Sequence, residues 1–134
     1  MIRGIIFDLG WTLMTYNGDW KQVNELAYRN AAAFLNDNGI RVGDDFPARF
    51  HAARERGWKL ADETGVEHTV EDALRETLGA LGCPSLDGIA PRAVEKFFEE
   101  HEARWVAYDD AIATLQELTR RGLRIGLISN ADDI

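Results

Sequence analysis

Basic residues are in short supply in this chain. Fifteen Lys and Arg face 23 Asp and Glu, for a net charge of −8. No surplus cation is available to neutralise a nucleic-acid backbone or an anionic bilayer, so neither is expected as a main partner. A small phosphorylated metabolite needs only a local pocket and stays open. Cysteine is nearly absent. Cys83 alone cannot form an intrachain disulfide, which fits a reducing cytoplasm. Its setting, Gly82-Cys83-Pro84, reads as a turn rather than a nucleophile's site. No apolar run is long enough to cross a bilayer. The apolar start of the chain is broken by Asp8, and no signal-peptide cleavage pattern follows. His51, His68 and His101 are scattered without metal-ligand spacing and read as surface or core residues. Internal repeats and low-complexity tracts are lacking as well.

What is present is a globular composition. Of the 134 residues, 46% are apolar and 28% charged, enough for one domain or for a core plus a small lobe. The run Gly4-Ile5-Ile6-Phe7 reads as a strand buried on both faces. It ends on Asp8, with Gly10 and Thr12 close behind. In open α/β sheets ligands bind at the C-terminal ends of strands. A carboxylate there can attack phosphorus or carbon, or hold a divalent cation.

A polar turn over 15–19 leads into helical spacing. Trp20, Val23, Leu26, Ala27, Ala31, Phe34 and Leu35 predict a helix from an Asp19 cap to a stop at Asn38-Gly39. A second helix is predicted over 45–63, with Phe46, Phe50, Ala53, Leu60 and Ala61 inward. A third runs over 70–81, opened by a capping box of Thr69 and Asp72 and ended by Gly82-Cys83-Pro84-Ser85. A fourth starts near Pro91 and turns Val94, Phe97, Phe98, His101 and Trp105 inward. Asp109-Asp110 caps a fifth that carries Ala111, Ile112, Leu115 and Leu118 inward and closes at Gly122. A second short apolar strand follows over 123–128 and ends in Ser129-Asn130. Helix, glycine, strand and polar end make the back half of a β-α-β crossover. Such a crossover needs one helix, so the other four read as an insertion.

Phe7-Asp8-Leu9-Gly10-Trp11-Thr12-Leu13 resembles motif I of the haloacid dehalogenase (HAD) superfamily. Ser129-Asn130, after Ile125-Gly126-Leu127-Ile128, resembles its motif II. The helical block directly after motif I is similar to the family's type-1 cap. The resemblance covers the whole chain. It implies an α/β fold: an incomplete Rossmannoid core of two parallel strands, from 1–14 and 107–134, with an all-helical cap over 15–106. It also implies Mg²⁺-dependent phosphomonoester hydrolysis by the complete protein, in the cytoplasm, with water excluded by cap closure. Asp8 would be the nucleophile, forming an aspartyl-phosphate. Asp8 and the Gly10 carbonyl would hold the metal. Ser129, Asn130, Thr12 and the amides of Leu9 and Gly10 would contact the substrate phosphate.

Two departures from the family pattern matter. Position 10 is Gly, where typical family phosphatases carry an Asp as general acid/base; that help is worth about 10²–10⁴-fold. Gly10 is also not the Tyr of the dehalogenase branch, which counts against carbon–halogen cleavage. Secondly, the basic residue of motif III and the acidic pair of motif IV do not follow. Asp132 and Asp133 read as the start of the next helix. A two-stranded sheet with open edges is marginal in water. We therefore expect a fragment of a longer protein, a chain completed by another polypeptide, or self-association in a swapped dimer, with the first preferred. The 134-residue chain alone is expected to be inactive, and a non-catalytic HAD-like binding protein is the alternative reading.

Other residues have weaker readings. Trp11 walls a substrate entrance or packs on the turn. Tyr16, Asn17 and Trp20 begin the connection from core to cap, with core packing as the default for Trp20. Arg49, Arg54, Arg56 and Lys59 read as a solvated helix face balanced by Glu55 and Asp62, with substrate binding as the lesser alternative.

Overall fold

The computed structural model describes residues 2–83 and 88–130. Its elements run β1 (Gly4–Phe7), β2 (Met14–Tyr16), α1 (Trp20–Asp37), α2 (Phe46–Thr64), α3 (Val70–Ala80), α4 (Ala90–Glu102), β3 (Trp105–Ala107), α5 (Ala111–Arg120) and β4 (Arg124–Leu127). This is an α/β chain with a partial Rossmann-like core. It divides into two compact units. One holds all four strands and α5, within 2–18 and 103–130; the other is the all-helical stretch Asp19–Glu102. Pro84, Ser85, Asp132 and Asp133, read above as a helix stop and the start of a helix, lie outside the described residues.

Local chemistry explains the helix ends. Asp19 accepts from the amides of Lys21 at 2.9 Å and Gln22 at 3.1 Å, which caps α1. The α3 capping box is complete. The Asp72 amide donates to Thr69 Oγ1 at 3.1 Å, and the Thr69 amide donates to Asp72 Oδ2 at 3.0 Å. Asp, one carbon shorter than Glu, still reaches back. Pro47 sits in the first turn of α2, where a missing N–H costs nothing. At α5, Asp110 is the cap residue but makes no side-chain bond to the helix amides.

Inside the helical unit an aromatic cluster is buried. The Phe97 ring lies 5.0 Å from Tyr28, 5.6 Å from Phe50 and 5.2 Å from Phe98. Leu35, Phe46, Leu74 and Leu78 close around it, fully buried. Burying each such side chain contributes about 1.5–3 kcal/mol. Arg54 is buried too, against the expectation of a solvated face. Its Nη1 donates to Tyr28 Oη at 3.2 Å, and its guanidinium lies over the rings of Phe97 and Trp58. A planar cation can stack on aromatic faces in this way, whereas an ammonium fits poorly. Arg49 and Arg56 do face solvent, paired with Asp45 and Glu76. Leu60, expected inward on α2, is exposed. Trp20 is half exposed, with its ring 4.9 Å from that of buried His101.

Four further expectations need correcting. Trp105 does not extend the inner face of α4. That helix ends at Glu102, and Trp105 opens β3, which pairs antiparallel with β2. The expected polar turn therefore begins as a strand, through Tyr16. Strand β1 is not buried on both faces: Ile6 is 66% exposed. On α5, Ile112 also faces solvent while Ala111 is buried.

At the end of α5, Arg120 and, less strongly, Arg121 hold the Glu117 carboxyl below its ordinary pKa. A lowered folded-state value means stability present at neutral pH and lost as pH falls through that value. The groups are solvent-exposed, so the effect is small. Glu117→Gln should flatten the acid limb of the stability–pH curve slightly, as checked by thermal melts between neutral pH and about pH 3.

Candidate active site

The site starts with β1 and β4. They pair in parallel from Gly4↔Arg124 to Phe7↔Leu127. Gly4 is needed for this approach, because a Cβ there would lie 3.0 Å from the Arg124 carbonyl oxygen. Beyond the last pair, the Ile128 amide donates to the Phe7 carbonyl at 2.9 Å. Asp8 and Ile128 therefore leave the sheet together at its C-terminal edge, and Ser129 and Asn130 follow at once. This is the edge where α/β sheets bind ligands. Both motif ends, Asp8 and Ser129-Asn130, lie there and are exposed.

The chain after Asp8 folds into a tight turn. The Leu9 carbonyl accepts from the amides of Thr12, Leu13 and Met14, at 3.3, 2.9 and 3.1 Å, and the Trp11 amide donates to the Met14 carbonyl at 2.6 Å. The amides of Leu9 and Gly10 and the carbonyl of Gly10 take no part in these bonds. Thr12 Oγ1 donates to Asp8 Oδ2 at 3.0 Å. Thr12, expected as a phosphate contact, makes this bond to Asp8 and so restrains the rotation of that carboxylate. Among the described residues Asp8 Oδ1 accepts no hydrogen bond. Asp8 Oδ1 and the Gly10 carbonyl are hard oxygen donors of the kind Mg²⁺ prefers. That ion commonly takes one or two protein oxygens and completes its shell with substrate phosphate and water, so the donor set fits it. No cluster of three or more His, Cys, Asp or Glu that could hold a metal occurs among the described residues.

Two tryptophans frame the turn. Trp11 is the one non-glycine with positive φ, 62°, among the described residues. Left-handed backbone costs such a residue about 1–2 kcal/mol. Its indole is 66% exposed and meets Trp105 edge-on at 5.8 Å. An aromatic pair contributes about 0.5–1.5 kcal/mol, so that contact at best offsets the strain. Trp105 is carried in by β3, whose register places it opposite Tyr16, 5.3 Å ring to ring. The Tyr108 amide, just after β3, ties back to the Leu13 carbonyl at 3.0 Å. A Cβ on Gly10 would sit 3.3 Å from Trp105 Cη2. A side chain at position 10 would require that indole to give way by a few tenths of an ångström. The sequence reading missed Trp105 because a three-residue strand directly after a helix continues its apolar spacing by chance. The signal that could have found it is the aromatic and β-branched run Trp105-Val106-Ala107 bounded by polar residues.

The crystal structure of a HAD-hydrolase, YfnB from Bacillus subtilis, bound to magnesium, matches 97% of this chain at 19% identity and a TM-score of 0.47. A dehalogenase matches at 19% identity with a TM-score of 0.39, and the L-2-haloacid dehalogenase RSc1362 at 21% and 0.39, each over 98% of this chain. The chain spans about half the length of these structures, 53–54% of each. No curated protein matches. No helix among the described residues is long and apolar enough to cross a membrane. The sequence model of the haloacid dehalogenase-like hydrolases matches residues 2–134. That span holds both the Asp8 turn and the Ser129 strand end, and the chain belongs to this family.

Proposed function

We propose that this chain carries the nucleophile and part of the phosphate site of a Mg²⁺-dependent phosphomonoesterase. Its substrate is a small phosphorylated metabolite, and the protein works in the cytoplasm. The observation that carries the reading is Asp8 itself. It stands at the end of β1 with one oxygen held by Thr12 and the other open, on the same sheet edge as Ser129. Thr12 holds the carboxylate in one rotamer, so less orientation has to be lost on reaching the transition state. The amides of Leu9 and Gly10 and the hydroxyl of Ser129 donate to phosphoryl oxygens as charge moves onto them. Asp8 and the Gly10 carbonyl would hold Mg²⁺, which when bound would supply positive charge to offset repulsion between carboxylate and phosphate. The inserted helical unit takes the role of the cap.

The direct test is chemical. The protein as made from its native gene is incubated with Mg²⁺ and acetyl phosphate, a small phosphoryl donor. A hydroxylamine-labile phosphate on the peptide that contains Asp8 is expected, read by mass spectrometry. Phosphate elsewhere, or none, would overturn the reading. Thr12→Val should lower kcat about tenfold at the low end of what one hydrogen bond to a charged group is worth. It should leave thermal stability nearly unchanged, as checked by parallel kinetics and melts.

One observation favours a second reading. Between Leu9 and Met14 no carboxylate, imidazole or ammonium is present to assist proton transfer. A HAD-like protein that binds phosphate without turning it over fits that turn. Mg²⁺-dependent phosphate binding with no phosphorylation of Asp8 would establish it.

A further inference from the structure

Trp11 is exposed and strained, its edge-on contact with Trp105 at best offsets that strain, and it sits three residues after Asp8. A strained residue that its contacts do not explain points to a role outside folding. Trp105 stands edge-on to it and lies against Gly10. The two indoles therefore form one apolar flank of the Asp8 turn, held by the β2–β3 pairing. The same turn has no group to protonate a departing oxygen. An alkoxide is a poor leaving group without that proton. A phenol-type oxygen, with a pKa near that of tyrosine, about 10, leaves as the anion far more readily.

Both features select the same chemistry. We propose that Trp11 and Trp105 form an aromatic wall that recognises a flat ring on the leaving group, so the preferred substrates are aryl phosphomonoesters. In the reaction a carboxylate oxygen of Asp8 bonds to phosphorus as the bond from phosphorus to the aryl oxygen breaks. The electron pair departs with that oxygen as a phenolate. Water then cleaves the aspartyl-phosphate to release inorganic phosphate and restore Asp8. Stacking on an indole face or edge supplies the recognition, and any ring with a π-face can use it. The inference rests on the reading of Asp8 as a phosphate site.

The test uses two ligands that cannot be hydrolysed, benzylphosphonate and methylphosphonate. Each is titrated into the native gene product with Mg²⁺, and the Leu9 and Gly10 amides and the Trp11 indole N–H are followed by NMR. Both ligands should shift the two amides. Only benzylphosphonate should shift the indole, and it should bind about tenfold tighter. Trp11→Ala should remove that tenfold and leave methylphosphonate affinity unchanged, which also shows that the turn still folds. Trp11→Phe should keep most of it. Equal affinities for the two ligands, with no effect of Trp11→Ala, would overturn the wall and leave the Asp8 reading standing. Amides unmoved by either ligand would overturn both.

Discussion

Asp8→Asn, made in the native gene product, is expected to lower kcat for phosphomonoester hydrolysis by on the order of 10⁴-fold or more. Losses of this size follow removal of a nucleophile that acts in one unit with its neighbours. The substitution is nearly isosteric. The Asn carbonyl can still accept from Thr12 Oγ1, now 3.0 Å from Asp8 Oδ2, so the turn should keep its shape. Surface changes of this kind move stability by about 0.5 kcal/mol or less. What changes is chemistry. A neutral amide is a poor nucleophile and a weak ligand for a divalent cation. The predicted signature is therefore a collapse of kcat with an unshifted melting temperature. Full activity in the Asn variant would remove Asp8 from the reaction. Loss of activity together with loss of the fold would make its role structural.

The second large effect lies far from the chemistry in sequence. Phe97→Ala should destabilise the helical unit by about 3–5 kcal/mol. Phe97 is fully buried, it meets Tyr28, Phe50 and Phe98, and Arg54 stacks on it. Removing the ring leaves a cavity and strips a buried guanidinium of one of its two aromatic partners. The loss is a large part of a domain's usual 5–15 kcal/mol. Chemical denaturation should show a lower midpoint. Phe97→Leu should recover part of the loss, since it restores much of the volume. A change below 1 kcal/mol for the Ala variant would contradict the packing described here.

What could be read in advance was local or periodic. The Asp19 cap, the Thr69–Asp72 box and the positive φ of Gly122 are set within a few residues of chain, and propensity rules see that range. The parallel pairing of β1 with β4 was legible because helix, glycine, strand and polar end recur as a unit. Asp8 and Ser129 could be placed on one sheet edge for the same reason. What was not legible depends on partners distant in sequence. Arg54 is buried because Tyr28, Phe97 and Trp58 enclose it, and a helical wheel sees only a cation among cations. Trp105 belongs to the Asp8 turn through β2, which is too short to announce itself. The bond from Thr12 to Asp8 is local, but nothing in the residue types distinguishes it from a hydroxyl turned toward a ligand.

The helical unit brings its own two ends together: Trp20 at the start of α1 and His101 near the end of α4 have rings 4.9 Å apart. This bears on the order of folding. At their innermost pair, Tyr16↔Trp105, strands β2 and β3 are separated by 88 intervening residues. Pairing them from an unfolded chain means closing a loop of nearly that length. Once the helices have packed, α1 against α4 included, the effective loop shrinks to a handful of residues. Four halvings at about 0.6 kcal/mol each lower the closure cost by roughly 2 kcal/mol. The helices are therefore expected to form first, then the β2–β3 pair, and last the β1–β4 ladder that carries Asp8 and Ser129. Pulsed hydrogen exchange should find amides in α1 and α4 protected before those of Ile128 and Tyr108. In this order the strand edge that carries Asp8 and Ser129 is the final piece of the chain to be assembled, after the helices have brought β2 and β3 together.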